Sequence, residues 1–308
     1  MQNNAQSSGL YAHLLLVVVT LLAASGWLFS KFVITAMTPM FFLAIRFVSS
    51  GIMVGGMKPR QVLSTSPSKR TRALLTGCLL GAQTALWGFA LMLSEGLGVG
   101  AFLISLSFLL IPVTGLMFGY RAQPHTWLAV AIAMPGLGLL ALRHGFALAP
   151  SDILFLLSAV LYALYFNVNG KYCADIPPIT QTCFQLIAAG TVCFIAFLFW
   201  ERDATQSVDG VWHWLALSIV LATCLRFLFL LKAQSMSPEG QGAIVMTLEP
   251  VWVAILSAWW LHESLSVMAL SGMGLIFFAL IVNAIGSLRA GRKQKLASAG
   301  QSVAVSGN

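Results

Sequence analysis

Charge is scarce in this sequence. Lys, Arg, Asp and Glu together make 8% of its 308 residues, against about 25% in an ordinary globular domain. So few charges cannot cover a body of this size in water. That excludes a cytosolic enzyme, a secreted disulfide scaffold and a disordered chain. The nine acidic residues are scattered singly, and the five His show no metal pair at helical spacing. A membrane enzyme acting on lipid phosphates needs clustered Asp, His or Lys at one face, so no enzyme, metal or other cofactor is expected. Cysteines are few: Cys78, Cys173, Cys183, Cys193 and Cys224 lie in or beside apolar runs, without metal-ligand or redox spacing. They read as small buried hydrophobes. No Walker motif is present. Gly96, Gly98 and Gly100 lack any surrounding βαβ unit, so they mark a turn and not a nucleotide loop.

What the sequence has in quantity is apolar surface, 58% of all residues. A helix crossing the hydrocarbon needs about 20 mostly apolar residues. Ten stretches qualify, near 10–33, 39–57, 73–93, 99–119, 125–143, 152–170, 178–200, 212–233, 240–261 and 265–288. The expected fold class is therefore an all-α integral membrane protein with ten transmembrane helices. The first stretch is preceded by no Lys or Arg, so it reads as a span and not as a signal peptide. From Arg289 onward the chain turns to Gly, Ser, Ala and Lys/Arg, and 289–308 reads as a disordered cytoplasmic tail.

Direction follows from the basic residues. With a cytoplasmic N-terminus, one side collects Lys58, Arg60, Lys69, Arg70, Arg72, Arg121, Lys171, Lys232, Arg289, Arg292, Lys293 and Lys295. The other side keeps only Lys31, Arg143 and Arg202. The positive-inside rule then places both termini in the cytoplasm. The net charge of +8 is thus a topology signal, and no nucleic-acid partner is expected.

The two halves correspond at a shift of about 140 residues. SKFVITAMTPMFFLAIRF (30–47) lines up with GKYCADIPPITQTCFQL (170–186), pairing Lys31 with Lys171, Pro39 with Pro178 and Arg46 with Gln185. GAFLISLSF (100–108) lines up with GAIVMTLEP (242–250). Five spans per half is an odd number, so the second repeat must be inverted relative to the first. The expected units are 10–143 and 152–288. Inverted repeats are a transporter device, with the substrate site near the midplane between them.

On these segments the chain resembles the drug/metabolite transporter superfamily, in its EamA-like branch of ten-helix permeases. AASGWLFSKFV (23–33) is similar to the family's first helix and TPMFFLAIRF (38–47) to its second. FLISLSFLLIPVTGLMFGYRAQP (102–124) is similar to the fourth helix and the loop after it. LKAQSMSPEGQGAI (231–244) resembles the eighth helix end, and LEPVWVAILSAWWLHESLS (248–266) the ninth. The resemblance covers roughly residues 12–287. It departs where the family's first half usually carries a Glu after the fourth helix: this chain has Arg121 there, while Glu263 keeps the second copy.

Ionisable groups at bilayer depth are costly, about 2.5–3.5 kcal/mol each on insertion scales, and are functional candidates by default. Three qualify. Arg46 lies near 10 Å deep at about 1.5 Å per residue, where its guanidinium can clamp a substrate carboxylate or bond the protein's own polar groups. Arg226 and Glu249 lie at similar depths on consecutive spans, as an ion pair or with Glu249 as a proton carrier. Pro250 removes a helix donor and favours a kink beside that carboxylate. Gln83 and Trp87 share one face of their helix. Tyr162, Tyr165 and Asn169 form a stripe that excludes Asn167. With Trp27, Gln185 and Trp252 they can line a cavity or simply pack in the core. Trp259 and Trp260 sit at a helix end like an interfacial belt, and Gly51/Gly55 and Gly77/Gly81 fit small-residue helix contacts.

The function expected is secondary transport, as an exporter, of small amphipathic metabolites such as amino acids across the inner or plasma membrane, driven by substrate or proton gradients. A nucleotide-sugar or phosphorylated-sugar carrier is the alternative, and an integral membrane enzyme a more distant one. Monomer and homodimer both remain open.

Overall fold

The computed structural model describes residues 2–120, 122–142, 149–204, 209–236 and 245–306. Every regular element among them is helical. The helices are α1 (Gln2–Ile34), α2 (Pro39–Gly56), α3 (Pro59–Leu63), α4 (Pro67–Leu93), α5 (Gly98–Ser105), α6 (Ser107–Thr114) and α7 (Pro124–Leu142). They continue with α8 (Pro150–Tyr172), α9 (Pro178–Trp200), α10 (Trp212–Ile219), α11 (Arg226–Met236), α12 (Glu249–Trp260) and α13 (Val267–Ser306). A 3-10 turn at Gly115–Phe118 extends α6, and a π-helical segment at Val220–Leu225 joins α10 to α11. Six of these helices open on proline: α2, α3, α4, α7, α8 and α9. The missing N–H costs nothing in a first turn, and the fixed φ suits it.

Among the described residues eight segments are long and apolar enough to cross a membrane: Leu14–Ile34, Pro39–Gly56, Pro67–Leu93, Gly98–Phe118, Pro150–Tyr172, Pro178–Trp200, Trp212–Ala233 and Val267–Ala290. Each matches an expected span. The expected fifth span is present as a shorter apolar helix, Pro124–Leu140. The expected ninth, 240–261, starts outside the described residues, and its described helix Glu249–Trp260 is only 12 residues long. The tail differs too: α13 continues to Ser306, so its backbone is helical where the sequence suggests disorder.

Two helices are broken. Leu106 is a turn between α5 and α6, and Thr247–Leu248 form a turn before α12. In the alignment of GAFLISLSF with GAIVMTLEP, Leu106 falls opposite Leu248. Pro250 therefore sits in the first turn of a new helix, where the sequence suggests a kink within a continuous one.

Close packing rests on small residues. Gly51 and Gly55 of α2 and Gly77 and Gly81 of α4 all face α9, where a Cβ would meet Cys183, Gln185, Ile187 or Ala189 within about 3 Å. Gly136 of α7 and Gly272 of α13 oppose each other in the same way. Any larger side chain at Gly81 forces α4 and α9 apart. A larger apolar core surrounds Trp27, Leu91, Leu97, Phe102, Phe155 and Val253, and a smaller one surrounds Met40, Phe42 and Leu43. Phe199, Trp200, Trp212, Trp259 and Trp260 are exposed at the adjoining ends of α9, α10 and α12, the pattern of an aromatic girdle at one membrane face.

Candidate functional site

Arg46 is buried in the middle of α2. Its Nε donates to Thr223 Oγ1 at 2.9 Å and its Nη1 to Ser30 Oγ at 2.9 Å. Ser30 in turn donates to Gly26 O at 2.5 Å, and Thr223 to Ser218 O at 2.9 Å. That last bond runs five residues back, so the π-helical segment presents the Thr223 hydroxyl to the guanidinium. A π-turn inside an α-helix commonly marks a functional position. Gly26 lets α1 approach: a Cβ there would lie 2.8 Å from Ala222 Cβ. The Phe42 and Phe47 rings flank the cation at 5.9 and 5.5 Å, within cation–π range. Arg46 thus binds α1, α2 and the π-segment together.

Arg226 begins α11 directly after the π-segment, and Glu249 begins α12. Arg226 Nη2 stands 4.0 Å from Glu249 Oε2, with each side chain about a quarter exposed. That separation allows charge attraction but exceeds hydrogen-bond reach. Arg226 Nε is buried without a partner. The carboxylate sits at a helix N-terminus, where the macrodipole favours negative charge. Thr223, which holds Arg46, lies three residues before Arg226, so Arg46, Arg226 and Glu249 bring three charges from three spans into one region.

A second cluster is uncharged. Tyr165 donates to Gln185 Oε1 at 3.0 Å, while Gln181 and Gln185 both donate to Asn169 Oδ1 at 2.6 Å. The Tyr162 and Tyr165 rings lie 5.9 Å apart beside it. Asn167 points elsewhere, donating to Ile111 O and Thr114 Oγ1 of α6, as its position off the stripe requires. Gln83 donates to Ser158 Oγ at 2.8 Å and ties α4 to α8. Trp27 packs edge-on to Trp87 at 5.2 Å and against Phe155 at 5.8 Å. Trp252 Nε1 is buried without a partner. Arg46 and Gln185, paired in the repeat, do not bond each other. None of the expected site residues lines the open depression beside α3 or the groove of about 230 Å³ between α2 and the π-segment.

Several polar residues outside the expected set fasten helix ends. Lys31 donates to Leu91 O and Ser94 O, closing the C-terminus of α4. Glu263 accepts from Leu97 N at 2.9 Å and Gly98 N at 3.3 Å, capping α5. Glu201 accepts from Met40 N at 3.0 Å at the start of α2. Among the described residues no group of His, Cys, Asp and Glu could hold a metal ion. Arg121, the departure from the family pattern, lies outside the described residues.

Residues 149–285 match the model of the EamA-like transporter family. No curated protein matches the chain. A solved structure described only as "Crystal structure of protein" is similar to it, with 18% identity and a TM-score of 0.63 over 92% of this chain and 99% of that one. At that identity the likeness concerns the fold alone.

Proposed function

We propose that this multi-pass membrane protein is a secondary transporter exporting small amphipathic metabolites such as amino acids, a reading supported by the match of residues 149–285 to the EamA-like transporter family model, consistent with the drug/metabolite transporter superfamily. It works by alternating access between two inverted five-helix repeats, with both termini cytoplasmic. The observation that carries this reading is the charged group of Arg46, Arg226 and Glu249, drawn from both halves and adjoining a broken helix. Breaks at the aligned residues Leu106 and Leu248 support the repeat, since discontinuous helices form the midplane sites of such transporters. Helix packing supports it as well. Exchanging each span for the one five places along maps α4–α8 onto α1–α11 and α6–α8 onto α12–α1, while α2–α9, α5–α12 and α7–α13 map onto themselves.

In this reading Arg46 and Arg226 recognise the substrate's acidic group. Trp27, Trp87, Tyr162 and Trp252 supply apolar walls, while Gln83, Asn169 and Gln185 supply directional polar contacts. Two arginines facing one carboxylate leave the cluster net positive. That favours an anionic group on the substrate, and it keeps a nucleotide-sugar or phosphorylated-sugar carrier as the second reading. Glu249 is the carboxylate available for proton coupling.

A growth-resistance screen in overexpressing cells separates these readings. Resistance to amino acids or their analogues that disappears in Arg226→Gln supports export. Counterflow of sugar phosphates in proteoliposomes, with no amino-acid flux, replaces it with the second reading. Topology has its own test: in intact cells Ser66→Cys should resist membrane-impermeant maleimides and react after permeabilisation. Labelling from outside reverses the assignment.

A further inference from the structure

Five basic residues lie between the end of α2 and the second turn of α4, and the structure divides them into two groups. Three, in the first turns of α4, tie that helix to the α8–α9 connection and to α3. Arg72 donates to both carboxylate oxygens of Asp175 at 3.0 Å and to Tyr172 O, which holds the Asp175 carboxyl below the usual carboxylate range. Lys69 donates to Asp175 O at 3.0 Å, and Arg70 donates to Leu63 O. Lys58 and Arg60 are exposed, and neither side chain has a hydrogen bond or ion pair among the described residues. They stand around a shallow, largely open depression lined by Lys58, Pro59, Arg60, Gln61 and Ser64. Large apolar side chains adjoin it: Met57 and Leu63 are 52% and 74% exposed. They continue the apolar face that Ile52 and Met53 present along α2.

Two unpaired cations, an amide and a hydroxyl surround this hollow at the end of a membrane-spanning helix, with exposed apolar side chains at its edge. We propose that it binds the headgroup of an anionic phospholipid. Lys58 and Arg60 take the phosphate by charge-assisted hydrogen bonds, Gln61 and Ser64 the glycerol, and Met57 and Leu63 lie along the acyl chains. The chemistry is amphiphilic: a free phosphate satisfies the cations but leaves the apolar edge in water. Seated there, the lipid covers charges that would otherwise repel each other and holds α3 against the bilayer surface. The site rests on the membrane reading alone and is independent of the transported substrate.

The test uses the full-length protein, purified in detergent and studied by native mass spectrometry with added dioleoyl-phosphatidylglycerol. One bound lipid per chain is expected to survive at energies that strip dioleoyl-phosphatidylcholine. Two juxtamembrane charges predict about thirty-fold weaker retention in Lys58→Gln with Arg60→Gln. Arg202→Gln with Arg289→Gln removes the same charge from exposed positions elsewhere and should leave retention unchanged. Equal retention by the first pair and the wild type overturns the proposal. So does equal retention of phosphatidylcholine, or displacement of the lipid by millimolar inorganic phosphate or glycerol 3-phosphate. Both substituted side chains are exposed, so the variants are expected to fold, which the retained elution volume will show.

Discussion

Leucine at Arg226 or at Glu249 alone is expected to deplete folded protein severalfold, and leucine at both to restore most of it. Removing one member of a buried ion pair costs about 3–5 kcal/mol, because the other charge stays behind without compensation. Here the lower end applies: the groups stand 4.0 Å apart and each is about a quarter exposed. A loss near 3 kcal/mol still changes a folding equilibrium by more than about a hundredfold. Replacing both charges by apolar residues of similar volume removes the desolvation penalty together with the attraction. The measurement is the yield of monodisperse protein in detergent and its thermal midpoint. A double variant as unstable as the two singles combined means that the charges do not sustain each other. Glu249→Gln adds a functional arm. If Glu249 carries the coupled proton, transport by this variant, measured per folded molecule because Gln also leaves Arg226 without its counter-charge, loses its pH dependence.

The apolar spans were legible because hydropathy over about 20 residues needs no knowledge of neighbours. The expected starts of α2, α8 and α9 fall within two residues of the prolines that open those helices. The breaks at Leu106 and Leu248 escaped notice. Neither is a glycine or a proline, and a one-residue turn leaves average hydropathy untouched. The candidate site was legible as an inventory more than as a geometry. Charge alone singled out Arg46, Arg226 and Glu249, and helical spacing separated Tyr162, Tyr165 and Asn169 from Asn167. Ser30 and Thr223, which hold Arg46, could not be read this way. Hydroxyls are common in membrane helices, and Thr223 faces Arg46 from a π-turn that no local propensity announces. Lys31 was counted for topology and Glu263 as a family position. Both close the ends of neighbouring helices instead, a role that depends on contacts across 60 and more residues of sequence.

Transport of an acid should disappear in Arg46→Gln, with membrane insertion preserved. Arg46→Lys should keep the charge but raise the half-saturation concentration. Lysine has no planar fork, and its single ammonium cannot reproduce the bonds that Nε and Nη1 make to Thr223 and Ser30. Those bonds sharpen the alternative that Arg46 serves structure alone, and two further variants decide between them. Thr223→Val and Ser30→Ala each leave a buried donor unsatisfied, at about 1–3 kcal/mol. If Arg46 only joins α1, α2 and the π-segment, both variants should mimic Arg46→Gln, losing stability and the transport of every substrate together. If the guanidinium also takes the substrate's carboxylate, they should mainly shift its half-saturation concentration, because the cation remains in place. The deciding comparison is a substrate against its uncharged amide in Arg46→Gln. Selective loss of the acid assigns Arg46 to binding. Equal loss of both forms assigns it to the framework and moves the acid's recognition to Arg226, whose Nε is buried without a partner.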